Sequence, residues 1–401
     1  MEGCTECTGT TDEIENEVTQ LQNSLETSFK NNCKERKHAA RKGALWWYPE
    51  LDKLRKECNN NIRRARRNLI DKETAKTARK RYKSTIRQCK RESWRRFCRS
   101  VSGPRPASRL FKILGKDQII SLDNIQVPNS LHISNTEEIL RYLLDTHFPG
   151  NTPYGDNNSG ANYQASDEDW QIATTIVTEE RVRWAVAYFA PFKSPGIDGI
   201  YPVLLQKGID VIIERLIKLL WASIALEYIP TQWRTAWVIF VPKPGRNDYT
   251  QPKSFRPISL MSFLLKTTER LIHRHIRDGP LVRYHLHANQ HAYLAGKSTD
   301  IALHNLVSKI ESAVHGKQYA LGVFLAIEEA FNNASSGALL NVLRSKRVSN
   351  TVIDWIKSML STRIARGTSG DTIIEVRLHK GFPQNGVLSA LMWILVADGL
   401  L

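Results

Sequence analysis

Arg63, Arg64, Arg66 and Arg67 fall within five consecutive positions, and Arg79, Lys80, Arg81 and Lys83 form a second cluster twelve residues on. Guanidinium and ammonium groups at this density suit phosphate oxygens. Contacts of that kind hold a polyanion without reading its sequence, with dissociation constants of about 10⁻⁴–10⁻⁶ M at physiological salt. From Asn31 to Ser100 the chain carries 24 Lys and Arg against 7 Asp and Glu. That one segment accounts for the whole formal charge of +17, and the remainder is neutral in sum. A basic module joined to a neutral one predicts a nucleic-acid partner; a merely solvated cationic face is the competing reading.

Other chemistries are less well supplied. Cys4 and Cys7 make a C-x-x-C pair, but no second pair follows at zinc-ribbon spacing. His285, His287 and His291 have no carboxylate at ligand spacing. Gly296-Lys297-Ser298 ends like a phosphate-binding loop, yet His291 stands where its first glycine is required. Six cysteines in 401 residues do not make a disulfide framework, which favours a reducing compartment. No apolar run reaches the roughly 18 residues of a membrane span, and the acidic, polar N-terminus does not read as a signal peptide. The expectation is a nuclear or cytoplasmic protein without a membrane partner; oligomeric state is not legible.

The elements that must position these groups follow from periodicity. Ile14, Val18, Leu21, Leu25 and Phe29 form one helical stripe behind a Thr10–Glu13 capping box. Two basic helices follow, on Leu51, Leu54, Cys58, Ile62, Ala65 and Leu69 and on Ala75, Ala78, Tyr82, Ile86 and Cys89, the second reaching Trp94 and Phe97. Packed on those narrow stripes, they would present a continuous cationic outer surface. Residues 149–168 are Gly/Asn/Pro-rich and predict a flexible surface loop or domain joint. Beyond residue 176 the pattern predicts helices over 179–189, 203–226, 262–277, 300–314, 338–344 and 352–360. It also predicts a strand at 235–241, a second short strand leading into Phe255–Leu260, and a hairpin over 363–378. Tyr319–Ala326 opens as a strand, with Leu321, Val323 and Leu325 alternating against Gly322, Phe324 and Ala326.

The run that this strand begins, YALGVFLAIEEAFNNA, resembles motif A of reverse transcriptases from non-LTR (LINE-type, jockey-related) retrotransposons, where the pattern is "FLDIEGAFDN". Five other stretches share the resemblance. They are the Trp46-Trp47 and "RESWRRFC" runs, the Pro242-Lys243-Pro244 turn, the Arg256-Pro257-Ile258 run, and Gly381–Ser389, which is similar to motif B, "GCPQGGVLSP". The resemblance implies RNA-templated DNA synthesis with magnesium, on an RNA template and a DNA primer. Two divalent metals would clamp the reacting oxygens, and hard cations require carboxylate ligands. Yet the position of the metal-binding aspartate is Ala326, whose methyl group ligates nothing, and Glu328 two residues on is not expected to replace it. The family's paired-aspartate hairpin would lie beyond Leu401. The expectation is therefore a catalytically silent copy with no metal held productively.

The resemblance also implies nucleotide contacts. Lys243 and Arg256 would grip the triphosphate, Phe331 would crowd the sugar, and Gln384 and Gly386 would lie against the new base pair. On spacing alone Lys243 and Arg256 read equally as solvated charges, and Phe331 as an ordinary core aromatic. Asn385 and Glu329 occupy positions where the family has glycine, and Asp398 is expected at the surface. The implied fold is α+β: a helical, basic N-terminal extension followed by a partial right-hand polymerase with fingers, an incomplete palm and no thumb. The expected boundaries are 1–102 for a basic linker, 103–175 for a connector and 176–401 for the polymerase domain. The alternative is a non-catalytic RNA- or DNA-binding remnant that relies on the basic helices of residues 50–100.

Overall fold

A computed structural model describes residues 9–33, 46–100, 124–127, 132–154, 163–246, 248–327 and 329–399. Cys4, Cys7 and Glu328 lie outside them. The chain divides into two compact units, one of residues 33–120 and one formed by residues 1–32 together with 121–401.

In the larger unit, α1 (Thr11–Asn32) buries Ile14, Val18, Leu21 and Leu25, the stripe expected from its spacing. Its polar face is tied in as well. Glu15 accepts hydrogen bonds from Tyr228 Oη (2.7 Å), Thr231 N (2.7 Å) and Thr231 Oγ1 (2.8 Å). Glu17 pairs with Arg215 at 2.6 Å. This helix, grouped by sequence with residues 1–102, thus packs with the far larger C-terminal part of the chain.

The smaller unit is a pair of helices, α2 (Pro49–Arg66) and α3 (Lys72–Ser100), packed together through a narrow seam. Leu51, Cys58 and Ala65 of α2 and Ala75 of α3 are buried. Arg63, Arg64, Arg66, Arg67, Arg79, Lys80, Arg81 and Lys83 are all exposed. Trp46 and Trp47 stay half-buried beneath cations, with Lys90 Nζ 4.7 Å from one ring and the Arg55 guanidinium 5.4 Å from the other.

The core of the larger unit gathers around α7. Leading to it are α4 (Thr136–His147), α5 (Asp167–Ile176) and α6 (Glu179–Ala187), followed by α7 (Pro202–Ala225) itself. Pro202 pre-sets the first turn of α7, and Leu205, Leu216, Leu219, Leu220 and Ile224 are buried along it. The next long helices are α8 (Phe263–Asp278), α9 (Thr299–His315), α10 (Ser336–Ser345), α11 (Asn350–Ser361) and α12 (Ser389–Asp398). Trp355 of α11 is fully buried, and its Nε1 donates to Ser223 Oγ of α7 at 3.2 Å.

Five strands form the main sheet of the unit: β1 (Thr152–Pro153), β2 (Thr235–Pro242), β3 (Phe255–Leu260), β4 (Ile364–Ser369) and β5 (Thr372–Arg377). Their order is β1-β5-β4-β2-β3, antiparallel except for the parallel β2–β4 pair, in which Trp237 faces Arg366. Alternation is clear along β2. Val238 and Phe240 are buried, whereas Ile239 and Val241 are about half exposed on the other face.

Two expectations need correction. Residues 316–327 form no regular structure, and Leu321, Val323, Phe324 and Leu325 are exposed by 75–93%. Alternation is necessary for a strand but not sufficient. Backbone N–H and C=O groups need a neighbouring ladder, and among the described residues none pairs with this run. The stretch 149–168 is not a plain loop either. Thr152 and Pro153 pair with Arg377 and Val376, and Ser166–Asp169 form a capping box at the start of α5.

Candidate nucleotide site

The Pro- and Gly-rich turn after α6 is pressed against the entry to α8. A Cβ on Gly196 would come within 2.5 Å of Ser262 N, so only glycine permits this approach. In return, residues 188–194 are held over one face of α8. Phe263, Lys266, Arg270 and His273 recur there at helical spacing, and Arg256, Ile258 and Leu260 alternate toward the same space from β3. Together with Phe331 and residues 384–387 they enclose a cavity of about 1240 Å³.

The cavity is cationic. Lys193, Arg256, Lys266 and Arg270 all line it. Lys266 is buried, with Nζ 4.9 Å from the Phe263 ring. Burial lowers its pKa, partly offset by Glu269 and Asp198. The Arg270 guanidinium lies 3.8 Å from the Tyr188 ring centroid and 4.9 Å from that of Phe189. Asp198 sits behind the turn with its carboxyl pushed up by burial, and its Oδ1 accepts from Ile200 N at 3.2 Å.

The loop of residues 381–389 forms one wall, and two buried charges pin it. At its start Arg363 donates from Nη2 to Lys380 O (2.9 Å) and Gly381 O (2.7 Å), and from Nε to Leu360 O (3.1 Å). Burial lowers the Arg363 pKa to about 10. Near the far end Glu269, fully buried on α8, accepts from Val387 N at 2.8 Å. Its Oε1 has no hydrogen-bond partner among the described residues, and burial pushes its carboxyl up to about 7. The sequence reading missed both groups. The only available signal was a charged side chain inside an otherwise apolar stretch.

The same loop locks onto the helical turn Ala330–Asn333. Gly381 has φ +76°, and a Cβ there would lie 2.3 Å from Asn332 O. Phe382 N donates to Phe331 O at 2.6 Å, and Gln384 Nε2 donates to Asn332 Oδ1 at 3.1 Å. Asn385 adopts φ +86° and Glu329 φ +48°. Both sit where the resembling family has glycine, and the left-handed backbone accounts for that preference. Glu329 Oε1 lies 3.4 Å from Nδ1 of buried His147, whose pKa burial lowers despite this carboxylate.

Of the expected nucleotide contacts, Arg256, Phe331, Gln384 and Gly386 line the cavity. Lys243 does not. Its Nζ donates to Lys253 O at 2.9 Å, across the turn that joins β2 to β3. The cations missed from sequence are Lys193, Lys266 and Arg270. Lys266 and Arg270 carried a signal, one helical turn apart on the apolar face of α8. Asp398, expected at the surface, is largely buried instead; it pairs with Lys346 at 2.8 Å and accepts from His287 N at 2.6 Å.

Residues 241–401, which include most of this wall and floor, match the family described as reverse transcriptase (RNA-dependent DNA polymerase). The resemblance to non-LTR, LINE-type reverse transcriptases is supported by this match and by curated relatives. It is 31% identical over 210 residues to the probable RNA-directed DNA polymerase from transposon BS of Drosophila melanogaster, covering 51% of this chain and 23% of that protein. The putative 115 kDa protein in type-1 retrotransposable element R1DM of the same species is 26% identical over 329 residues, covering 80% of this chain and 30% of its own length. The RNA-directed DNA polymerase from mobile element jockey is 26% identical over 240 residues, 59% of this chain and 26% of that protein. This chain thus spans about a quarter to a third of the length of the curated relatives it matches. Among the described residues, no helix is long and apolar enough to cross a membrane.

Polymerases of this family use magnesium, and the donors here do not fit it. Ala326 offers a methyl group, is exposed in the irregular segment and does not line the cavity. Glu329, the next described carboxylate, is turned toward His147. Among the described residues no three His, Cys, Asp or Glu side chains converge as a metal site would need.

Proposed function

We propose that residues 176–401 form the fingers and part of the palm of a reverse transcriptase, with the cavity receiving the triphosphate of an incoming nucleotide. The carrying observation is the convergence of Lys193, Arg256, Lys266 and Arg270 with Phe331, Gln384 and Gly386 around one space. Arg256 offers a planar fork for phosphate oxygens, and Lys193 offers a point charge. Half-buried Phe331, packed on Trp393 with centroids 5.9 Å apart, stands where a sugar would be crowded. Gln384 and Gly386 sit on the pinned loop, ready to meet a base pair. The proposed role stops at binding. No carboxylate at position 326 can share a metal with the bound phosphates, so nucleotidyl transfer is not expected.

Isothermal titration with a deoxynucleoside triphosphate tests the cavity. Arg256→Gln should weaken binding about 10- to 100-fold, the equivalent of a charge-assisted hydrogen bond of roughly 1.5–3 kcal/mol. Equal affinity in the parent and the variant would remove the nucleotide reading.

The exposed clusters of the smaller unit favour a second role, in which Arg63, Arg64, Arg66, Arg67, Arg79, Lys80, Arg81 and Lys83 hold RNA or DNA by its phosphates. Affinity for RNA should then fall linearly with salt on logarithmic axes. Neutralising both clusters should flatten that slope. A slope unchanged by neutralisation would leave the helices as a solvated face.

A further inference from the structure

The turn Ala330–Asn333 carries Phe331 to the cavity and backs Gln384 through Asn332, yet residues 316–327 before it form no regular structure. Glu329 begins that turn, and its carbonyl accepts from Asn332 N (2.9 Å) and Asn333 N (3.0 Å). Its side chain reaches the other way, to buried His147 at the end of α4. The imidazole stands between two acceptors. Nε2 lies 3.1 Å from Pro252 O, in the turn that joins β2 to β3, and Nδ1 lies 3.4 Å from Glu329 Oε1. A neutral imidazole has one N–H and serves only one of them, so its other nitrogen turns a lone pair toward an oxygen. With the proton on Nε2, that nitrogen is Nδ1, and it has no hydrogen-bond partner among the described residues. Only the imidazolium satisfies both sides. A glycine, as the resembling family has at position 329, would take the same φ of +48° without strain but could not reach the ring.

We propose that His147 and Glu329 are positioning residues for the nucleotide cavity, forming a clamp that holds the Phe331 turn while the imidazole is charged and slackens when it is neutral. The proposal rests on the nucleotide reading of the cavity. Neither residue lines that space; both act through the turn. In the charged state Nδ1–H closes on Glu329 and fixes the residue from which the turn starts, so Phe331 and, through Asn332, Gln384 keep their places. In the neutral state lone pair and carboxylate repel. The turn then keeps its bonds to residues 381–384 but loses its anchor behind. Burial disfavours the charged ring most, and Lys243, just past the end of β2, adds to that; Glu329 and the Pro252 carbonyl oppose both. Phe240 of β2 packs on the ring with centroids 5.7 Å apart and brings no charge. The ring therefore gains its proton below the usual 6.5, and the clamp tightens on the acid side.

Titration of the full 401-residue chain with a deoxynucleoside triphosphate at pH 5 and pH 8 tests the clamp. In Glu329→Gln the side-chain amide can donate to neutral Nδ1, so the contact persists at either pH. At pH 8 the parent should bind about 5-fold or more weakly than this variant, and at pH 5 the gap should close. Comparing the two proteins at each pH cancels protonation of the triphosphate and of other groups. The ring gives a second readout that needs no nucleotide. Its nitrogen-15 shifts should show the proton leaving at a lower pH in Glu329→Gln than in the parent, because the carboxylate that favours the charged ring is gone. An affinity ratio that is the same at pH 5 and pH 8, or an unchanged ring titration, would overturn the clamp. Failure of the parent to bind triphosphate at either pH would instead remove the proposed function, with the ring titration still deciding whether the clamp exists.

Discussion

Replacing Arg363 by methionine should lower folding stability by about 3–5 kcal/mol, the usual cost of removing one member of a buried, compensated charge set. The arginine serves three backbone carbonyls, those of Leu360, Lys380 and Gly381, in a region without access to water. Methionine fills the volume but leaves all three acceptors unsatisfied and removes a positive charge that, with those of Lys266 and Arg270, acts on Glu269. Lysine should recover only part of the loss, because a single ammonium cannot fork to three acceptors. The loss should also reach the cavity, since Gly381 fixes the loop that carries Gln384 and Gly386. Denaturant unfolding checks this. A loss below about 1 kcal/mol would mean that the loop is held by other contacts.

Glu269, at the loop's other anchor, should make stability fall with rising pH. In the fold its carboxyl is pushed up to about 7, against an ordinary 4.5, because burial penalises the charged form. The folded protein therefore keeps a proton that the unfolded chain has already released. The contribution is complete below pH 4.5 and is lost as pH rises through about 7. At about 1.4 kcal/mol per pH unit the full effect is about 3 kcal/mol. Other groups titrate in the same range. Glu227 is also pushed up to about 7, and His273 is lowered to about 4, each chiefly by burial. Comparing the parent with Glu269→Gln cancels them. Unfolding free energies at pH 5 and pH 8 should show the parent losing about 2.5 kcal/mol relative to the variant. A difference that does not change with pH would contradict the assignment.

These two anchors mark the limit of what the sequence disclosed. Elements with strong local periodicity were legible almost to their ends, as with the helix expected at 203–226 and found at Pro202–Ala225, or the hairpin expected over 363–378. Amphipathic period and turn chemistry are local properties, and a single chain carries them openly. Residues 319–327 alternate as well as any strand here, yet a strand also needs a neighbour, and alternation does not supply one. Resemblance singled out four residues that line one cavity. Arg256, Phe331, Gln384 and Gly386 do meet at one cavity, while Lys243 turns to Lys253 O. The supporting charges were hidden for a different reason. Glu269 and Arg363 acquire their roles from backbone groups more than a hundred and up to eighteen positions away, respectively, and nothing beside them in the chain announces those partners.

The same contrast defines the account as a whole. A loop pinned from both ends shapes a cationic space suited to a nucleotide, and residue 326 brings no oxygen to a metal. Primer extension measures the consequence. The full chain is given an RNA template, a DNA primer, magnesium and all four deoxynucleoside triphosphates. The account predicts no primer elongation above a protein-free control, even at triphosphate concentrations that saturate binding. Template-dependent addition of nucleotides would contradict it.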